Sequence, residues 1–225
     1  MKAQFLAISL CMLLFYSQSE GKQGNAPMNV SKTEAGFMAD SLERVYGSNK
    51  QVPAKYRLAF YYALSRYPEL ISLRISIREK KLNSTMAARP TVISSLFRSK
   101  SKRRYVIYVN SDSSHASPQF HEFTFNAQIG VLGHELAHLL KYRVQKAGSL
   151  LGDAFRYKKE NFKMKYERYT DSITVVRGLG WQCYDFATQL QNNAGVPEAY
   201  KKKKEKFYFS PREIYALMSD LGYEL

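Results

Sequence analysis

Residues 125–142 read FNAQIGVLGHELAHLLKY and contain the pentapeptide His-Glu-Leu-Ala-His at positions 134–138. From Phe123 to Leu140 the only Asp, Glu, Lys or Arg is Glu135. Because apolar residues fill most other positions, a helix formed by this stretch is apolar on nearly every side. We therefore predict a helix over 125–142 that is buried around most of its circumference, with one acid and two histidines inside the protein.

The pentapeptide is typical of a metal site. Positions i and i+4 of a helix share a face, so His134 and His138 can bind one ion. Glu135 is turned by about 100° from His134, which brings its carboxylate near the open side of that ion. Zinc accepts nitrogen and oxygen ligands in a tetrahedron and lowers the pKa of bound water towards neutrality. We expect one Zn²⁺ at this pair, with Glu135 as the catalytic base.

A catalytic zinc site usually has three protein ligands, and no histidine follows His138. The metzincin pattern would place a histidine at position 144, where this chain has Val144. A downstream third ligand is therefore a carboxylate. We predict Glu167 as that ligand, and Asp171, one helical turn later, as acceptor of a hydrogen bond from the outer ring nitrogen of a ligating histidine. Two other acids remain alternative ligands: Glu160 and Asp153.

The pentapeptide, followed 29 residues after His138 by Glu167-x-x-x-Asp171, resembles the gluzincin class of zinc metallopeptidases. The similarity is to the thermolysin type and to the prenyl-protein-peptidase type, and it covers residues 125–180. It implies His134, His138 and Glu167 as ligands, with Asp171 as an outer partner and the Glu of the pentapeptide as general base.

The resemblance departs from both types at particular positions. Thr170 matches the small residue that precedes the Asp in the prenyl-protein-peptidase type, but the membrane helices of that type are missing. Tyr166 stands where the thermolysin type has Asn. Substrate specificity is therefore not implied. The group that stabilises the oxyanion also stays unassigned among five candidates: His115, His121, Tyr166, Tyr169 and Tyr184.

The resemblance also implies a zincin-like fold, in which a twisted sheet precedes the active-site helix and an edge strand binds an extended substrate. Residues 71–78, 91–97 and 105–109 have the alternating or β-branched patterns of strands. Tyr105 to Asn110 is the candidate edge strand, with an interior position as the alternative.

Helical patterns occupy most of the remaining chain. We predict helices from Ser31 to Gly47, over 53–67, and near 158–177 and 182–193, with two more after Pro197 and Pro211. Ser31 with Glu34, and Ser210 with Glu213, have capping-box spacing. The predicted fold class is α+β: an N-terminal lobe, 31–145, with a small sheet and the active-site helix, and a helical C-terminal lobe, 146–225, which supplies the third ligand.

The first 30 residues have the composition of a targeting segment and a linker. Lys2 precedes the apolar run from Phe5 to Tyr16, and Ser17 and Ser19 provide a small-x-small cleavage site. We predict a signal peptide at 1–19, a linker at 20–30 and a secreted or periplasmic protein. Cys183 is then the only cysteine of the mature chain, and we expect it to be a small buried apolar residue.

Composition limits the function classes. The 225 residues carry a formal charge of +15, and 45% are apolar, which excludes a wholly disordered chain. No apolar run reaches the ~18 residues that cross a bilayer, which excludes a multi-pass membrane protein. The positive charge favours attraction to anionic envelope surfaces. Basic clusters at 98–104, 157–165 and 201–206 lack a nucleic-acid-binding module, so no nucleic-acid partner is expected.

The leading hypothesis is an exported zinc metallopeptidase, in which Glu135 assists the attack of zinc-bound water on a peptide bond of a peptide or protein substrate. Two alternatives stay open. One is an exported binding or structural protein that keeps the zincin fold without turnover, and the other is a zinc amidase acting on a cell-wall-type amide.

Overall fold

The computed structural model describes residues 24–112, 114 and 117–225; the predicted signal peptide at 1–19 and His115 lie outside them. The described residues form four strands: β1 (Lys50–Gln51), β2 (Arg74–Lys80), β3 (Met86–Pro90) and β4 (Arg104–Asn110). They also form nine α-helices: α1 (Lys32–Tyr46), α2 (Ala54–Ser65), α3 (Val92–Phe97), α4 (Phe125–Val144), α5 (Ala147–Arg156), α6 (Glu160–Thr174), α7 (Gly180–Asn192), α8 (Glu198–Phe207) and α9 (Pro211–Asp220). This confirms the α+β class, with a small sheet followed by a mostly helical C-terminal region.

The four strands form one sheet in the order β1-β2-β4-β3. Strands β1, β2 and β4 are parallel, with Ile75 paired to Tyr105, whereas β3 runs antiparallel to β4, with Ala88 paired to Ile107. Helix α4 packs against β3. The sheet edge nearest the pentapeptide helix is therefore β3.

The predicted strand at 91–97 is wrong, since Val92–Phe97 is helix α3. Serine hydroxyls stabilise this turn: Ser95 Oγ donates to Thr91 O at 2.9 Å, and Ser94 Oγ accepts from Arg104 N at 3.0 Å. The pairing edge of β4 is taken instead by Met86–Pro90, which was not predicted because two alanines and a proline give it little β propensity. Residues 105–110 consequently lie in the interior of the sheet, not at its edge.

Most predicted helices are present, and two begin where their capping residues place them. Both capping boxes form: Glu34 N donates to Ser31 Oγ at 3.1 Å and Glu213 N to Ser210 Oγ at 3.3 Å. The helix predicted over 158–177 is α6 continued by a π-helical segment, Val175–Leu179. Helix α5 was not predicted. None of the helices formed by the described residues has both the length and the apolarity needed to cross a membrane.

The main core lies between α2, α4 and the sheet and includes the fully buried Phe60, Ile107 and Leu132. Residues 24–30, which we expected to be a linker, have no regular secondary structure and pack onto the helices. Val30 N donates to Asn126 Oδ1 at 3.1 Å, and Gln182 Nε2 donates to Pro27 O at 2.8 Å. Buried polar partners from α4 and α7 thus hold this segment.

Candidate metal centre

The helix that carries the pentapeptide is closely packed, and its two histidines and the Glu between them are buried. Glycines make the close packing possible. A Cβ at Gly130 would lie 2.1 Å from Gln182 O of α7, and one at Gly133 would lie 2.6 Å from Leu179 Cδ1. These two positions therefore set how near the C-terminal helices come to the histidines.

Helix α6 turns Glu167 and Asp171, one turn apart, towards α4. Glu167 Oε2 lies 3.1 Å from His134 Nε2 and 3.4 Å from His138 Nε2. Asp171 Oδ1 lies 2.7 Å from His134 Nδ1. All four side chains are buried. The structure thus brings together the three residues predicted as ligands and the residue predicted as their outer partner.

The donor atoms of His134, His138 and Glu167 lie close enough together to share one metal ion. Atoms bound at about 2.0–2.1 Å to a tetrahedral ion lie about 3.3 Å from each other. The two histidine–glutamate separations are 3.1 and 3.4 Å, and all three donors lie within 4.8 Å of one another. Two imidazole nitrogens and a carboxylate are also a donor set that catalytic zinc uses. Spacing and chemistry therefore both fit this metal.

Outer hydrogen bonds fix the orientation of two of these side chains. Asp171 Oδ2 accepts from Phe209 N at 2.9 Å while Oδ1 faces His134 Nδ1. A proton on Nδ1 leaves the Nε2 lone pair of His134 directed at the other donors. The Tyr157 hydroxyl donates to Glu167 Oε1, so Oε2 is the oxygen left to face the histidines.

Aromatic rings hold His138. The imidazole stacks on the Tyr166 ring at a centroid distance of 5.5 Å and on the Tyr142 ring at 6.0 Å. Lys141 Nζ lies 3.3 Å from the centroid of the Tyr166 ring, and burial lowers the pKa of this lysine to about 8. A cation over a ring face strengthens this packing.

The electrostatics of the group suit a cation. Burial by itself lowers the pKa of His134, but the carboxylates of Asp171 and Glu167 outweigh it and raise that pKa to about 10. Burial likewise raises the pKa of Glu167, and the two imidazoles, His138 foremost, outweigh it and hold that pKa well below its usual range. Without metal the site therefore retains positive charge as a proton on His134, which a metal ion would displace.

Glu135 lies between the histidines and the sheet. Its Oε2 accepts a hydrogen bond from Ala88 N, 2.5 Å away on β3. In an antiparallel pair alternate residues direct their backbone groups to the partner strand. Thr85 O bonds to Asn110 N of β4, so Ala88, three residues on, directs its backbone away from β4. Glu135 is thus held at the edge of the sheet that has no partner strand among the described residues.

The structure places the alternative ligands elsewhere. Asp153 accepts hydrogen bonds from Gln145 and Arg156, and Glu160 pairs with Lys206 at the surface. Of the oxyanion candidates, His121 is exposed, Tyr184 packs near Trp181, Tyr166 stacks on His138, and Tyr169 is partly exposed. Among the described residues, no hydrogen bond joins His121, Tyr166 or Tyr184 to the three proposed ligands.

Two tyrosines beside the site were not singled out from the sequence. Tyr157 bonds to Glu167, and the Tyr208 ring lies 5.5 Å from the His134 ring. Burial, followed by the charge of Glu167, raises the pKa values of both hydroxyls, so both stay protonated. Tyr157 follows α5 and Tyr208 follows α8, and nothing in the local sequence reports that these helix ends meet at one place.

A cavity of about 60 Å³ adjoins the site. His134, Glu135 and Met86 of β3 are among the residues that line it. The rest of the wall is mostly apolar and includes Val131, Cys183, Phe186, Leu190 and Ile214. Cys183 is buried, as predicted, and burial raises the pKa of its thiol well above the usual value. The cavity fits a short aliphatic group.

Comparison of the chain with protein-family models, with curated proteins and with solved structures found no match. What the molecule can do is therefore inferred from its own geometry and chemistry.

Proposed function

We propose that this chain is an exported zinc metallopeptidase. One observation carries the proposal: the donor atoms of His134, His138 and Glu167 lie within 4.8 Å of one another, and Glu135 lies beside them at a sheet edge. The proposal joins this site to the predicted signal peptide and to the resemblance between the motif and the gluzincins.

His134 Nε2, His138 Nε2 and Glu167 Oε2 would hold the ion. When bound there, zinc lowers the pKa of water and polarises a carbonyl oxygen. Asp171 keeps the proton of His134 on Nδ1, so Nε2 stays a lone-pair donor. Tyr157 restrains the Glu167 carboxylate through Oε1.

Glu135 would move the protons of the hydrolysis. Its carboxylate takes a proton from the attacking water, and the protonated group then gives that proton to the amine nitrogen that leaves. The hydrogen bond from Ala88 N to Oε2 limits rotation of the side chain. Because the base is already held in one rotamer, less conformational entropy is lost on reaching the transition state.

The substrate would be an extended peptide added to β3. The outward-facing carbonyl of Ala88 is an acceptor for a peptide N–H, and strand addition to such an edge supplies main-chain hydrogen bonds. A peptide lying here passes directly by Glu135, which is bonded to the same residue. The cavity next to Met86 would then receive one of its side chains, with a preference for short aliphatic residues.

Cleavage of a peptide library, read by mass spectrometry, tests this function. We expect the wild-type chain to contain one zinc ion and to cleave, and the Glu135→Gln variant to keep the ion but lose cleavage. Glu122→Gln is the matched control because Glu122 is exposed on a 3-10 turn outside the site.

Other results would lead to different conclusions. Unchanged cleavage by Glu135→Gln would refute the assigned base. Stoichiometric zinc without cleavage of any library member would favour the non-catalytic scaffold, and hydrolysis restricted to cell-wall-type amides would favour the amidase.

A further inference from the structure

Helix α5 exposes two of its three large apolar side chains and buries its acid. Leu151 and Phe155, four residues apart on one face, are 48% and 69% exposed. Asp153 is buried and accepts hydrogen bonds from Gln145 Nε2 at 2.6 Å and Arg156 Nη2 at 2.5 Å. This is the reverse of the usual orientation of an amphipathic surface helix, whose apolar face packs on the core.

Two more large apolar side chains are exposed on neighbouring segments. Val144, at the end of α4, is 58% exposed, and Phe97, at the end of α3, is 80% exposed. Lys100 Nζ donates to Val144 O at 2.6 Å, which brings the segment after α3 against the junction of α4 and α5. We call Phe97, Val144, Leu151 and Phe155 together the docking face.

Cations surround the docking face. Residues 141–159 include six Lys and Arg and a single acid, the buried Asp153, and residues 97–104 include five Lys and Arg and no acid. Lys146, Lys158 and Lys159 are exposed. Exposed apolar residues within a basic rim match a bilayer with anionic headgroups, since hydrocarbon receives the rings while phosphates receive the cations.

We propose that α5 and its neighbours dock the protein on an anionic lipid bilayer. Leu151 and Phe155 enter the boundary between headgroups and acyl chains, and Lys146, Lys158 and Lys159 bind headgroup phosphates. A soluble polyanion would satisfy only the lysines and would leave the exposed apolar side chains in water, so lipid is the better match. This docking does not depend on the proposed function.

The docking face lies close to the candidate metal centre along the chain. Tyr157, whose hydroxyl donates to Glu167, directly follows α5. A bilayer under α5 would therefore hold the metal centre near the membrane surface, where it would meet membrane-proximal substrates.

Co-sedimentation of the mature chain with vesicles tests the docking. We expect partitioning onto phosphatidylcholine vesicles containing about a third phosphatidylglycerol to exceed that onto pure phosphatidylcholine by at least tenfold, and to weaken with salt. Phe155→Asp should lower the partition coefficient by about tenfold or more, because a ring that enters the bilayer is replaced by a charge that anionic headgroups repel. Phe37→Asp is the matched control, since Phe37 is 84% exposed on α1.

A second pair of variants separates local docking from the attraction of the whole positive chain. Lys158→Gln with Lys159→Gln should reduce partitioning several-fold, whereas Lys202→Gln with Lys203→Gln, an equal loss of charge on α8, should reduce it much less. Equal effects of the two double variants, or an unchanged partition coefficient in Phe155→Asp, would overturn the proposal. Light scattering provides a further test. If the wild type is a dimer and Phe155→Asp is a monomer, the docking face binds a second copy of the chain, and the proposal is overturned.

Discussion

Replacing Asp171 by Asn preserves the shape of the side chain but removes one of its two acceptors. Oδ1 faces His134 Nδ1 at 2.7 Å, and Oδ2 accepts from Phe209 N at 2.9 Å. If the amide oxygen of Asn faces His134, its NH₂ group faces the Phe209 N–H, and two donors meet. If the NH₂ group faces His134, the imidazole must carry its proton on Nε2, the atom proposed to bind metal. The second orientation therefore blocks the metal-binding nitrogen, and the first weakens metal binding because a neutral amide oxygen supports the Nδ1 proton less than a carboxylate does.

The size of the effect follows from these two orientations. Loss of such an outer partner lowers metal affinity by about 10–100-fold, which corresponds to about 1.4–2.7 kcal/mol. The orientation that keeps the His134 tautomer leaves the Phe209 N–H unsatisfied, at a cost of about 1 kcal/mol in folding free energy. We therefore expect a clear loss of affinity in a protein that is still folded.

Competition for zinc against a chromophoric chelator at neutral pH measures this affinity. Asp40→Asn is the matched control, because it removes the same charge from an exposed acid that pairs with Arg57. Glu167→Gln should lose more affinity than Asp171→Asn, since it changes a proposed ligand itself. An affinity of Asp171→Asn within about twofold of the wild type would refute the role given to Asp171.

Three further predictions concern packing, protonation and the Glu167 contact. Gly130→Ala should lower the free energy of unfolding by about 1–3 kcal/mol or more in denaturant titration, because the added methyl group meets a backbone oxygen. Gly36→Ala is the control: its methyl group would lie in open space on α1, so this variant should be neutral or stabilising. In metal-free protein the raised pKa of His134 stabilises the fold fully below about pH 6.5, and this contribution is lost as the pH rises towards 10. The stabilisation by added zinc should increase over the same pH range, because fewer protons compete for the site. Thermal melts with and without zinc measure both trends. The opposite sign in either melt series would contradict the proposed proton–metal exchange. Tyr157→Phe should lower zinc affinity several-fold, because Glu167 Oε1 loses its donor, and unchanged affinity would show that the contact does not restrain this carboxylate.

The site could be predicted from the sequence because its pattern is local. Helical periodicity places His134 and His138 on one face, and the absence of any later histidine leaves only a carboxylate as a downstream ligand. The same periodicity places Glu167 and Asp171 one turn apart. Capping boxes at helix starts also depend on residues three apart, which explains why both were predicted correctly.

The features that could not be predicted depend on contacts between distant segments. Met86–Pro90 becomes a strand because β4 offers it a pairing edge, not because of its own propensity. Tyr157 and Tyr208 reach the site because two helices end there, and Gly130 matters because α7 crosses α4 at that residue. Gly130 and Gln182 are 52 positions apart (182 − 130), and Tyr208 and His134 are 74 apart (208 − 134), so no local pattern encodes these contacts.

The central claim is that three side chains hold one ion. Its most direct test is anomalous X-ray scattering at the zinc absorption edge, measured on crystals of the zinc-loaded mature chain. We predict a single strong peak at about 2.0–2.3 Å from His134 Nε2, His138 Nε2 and a Glu167 carboxylate oxygen. A peak coordinated by other residues, or ordered histidines with Glu167 directed away from the ion, would contradict the account.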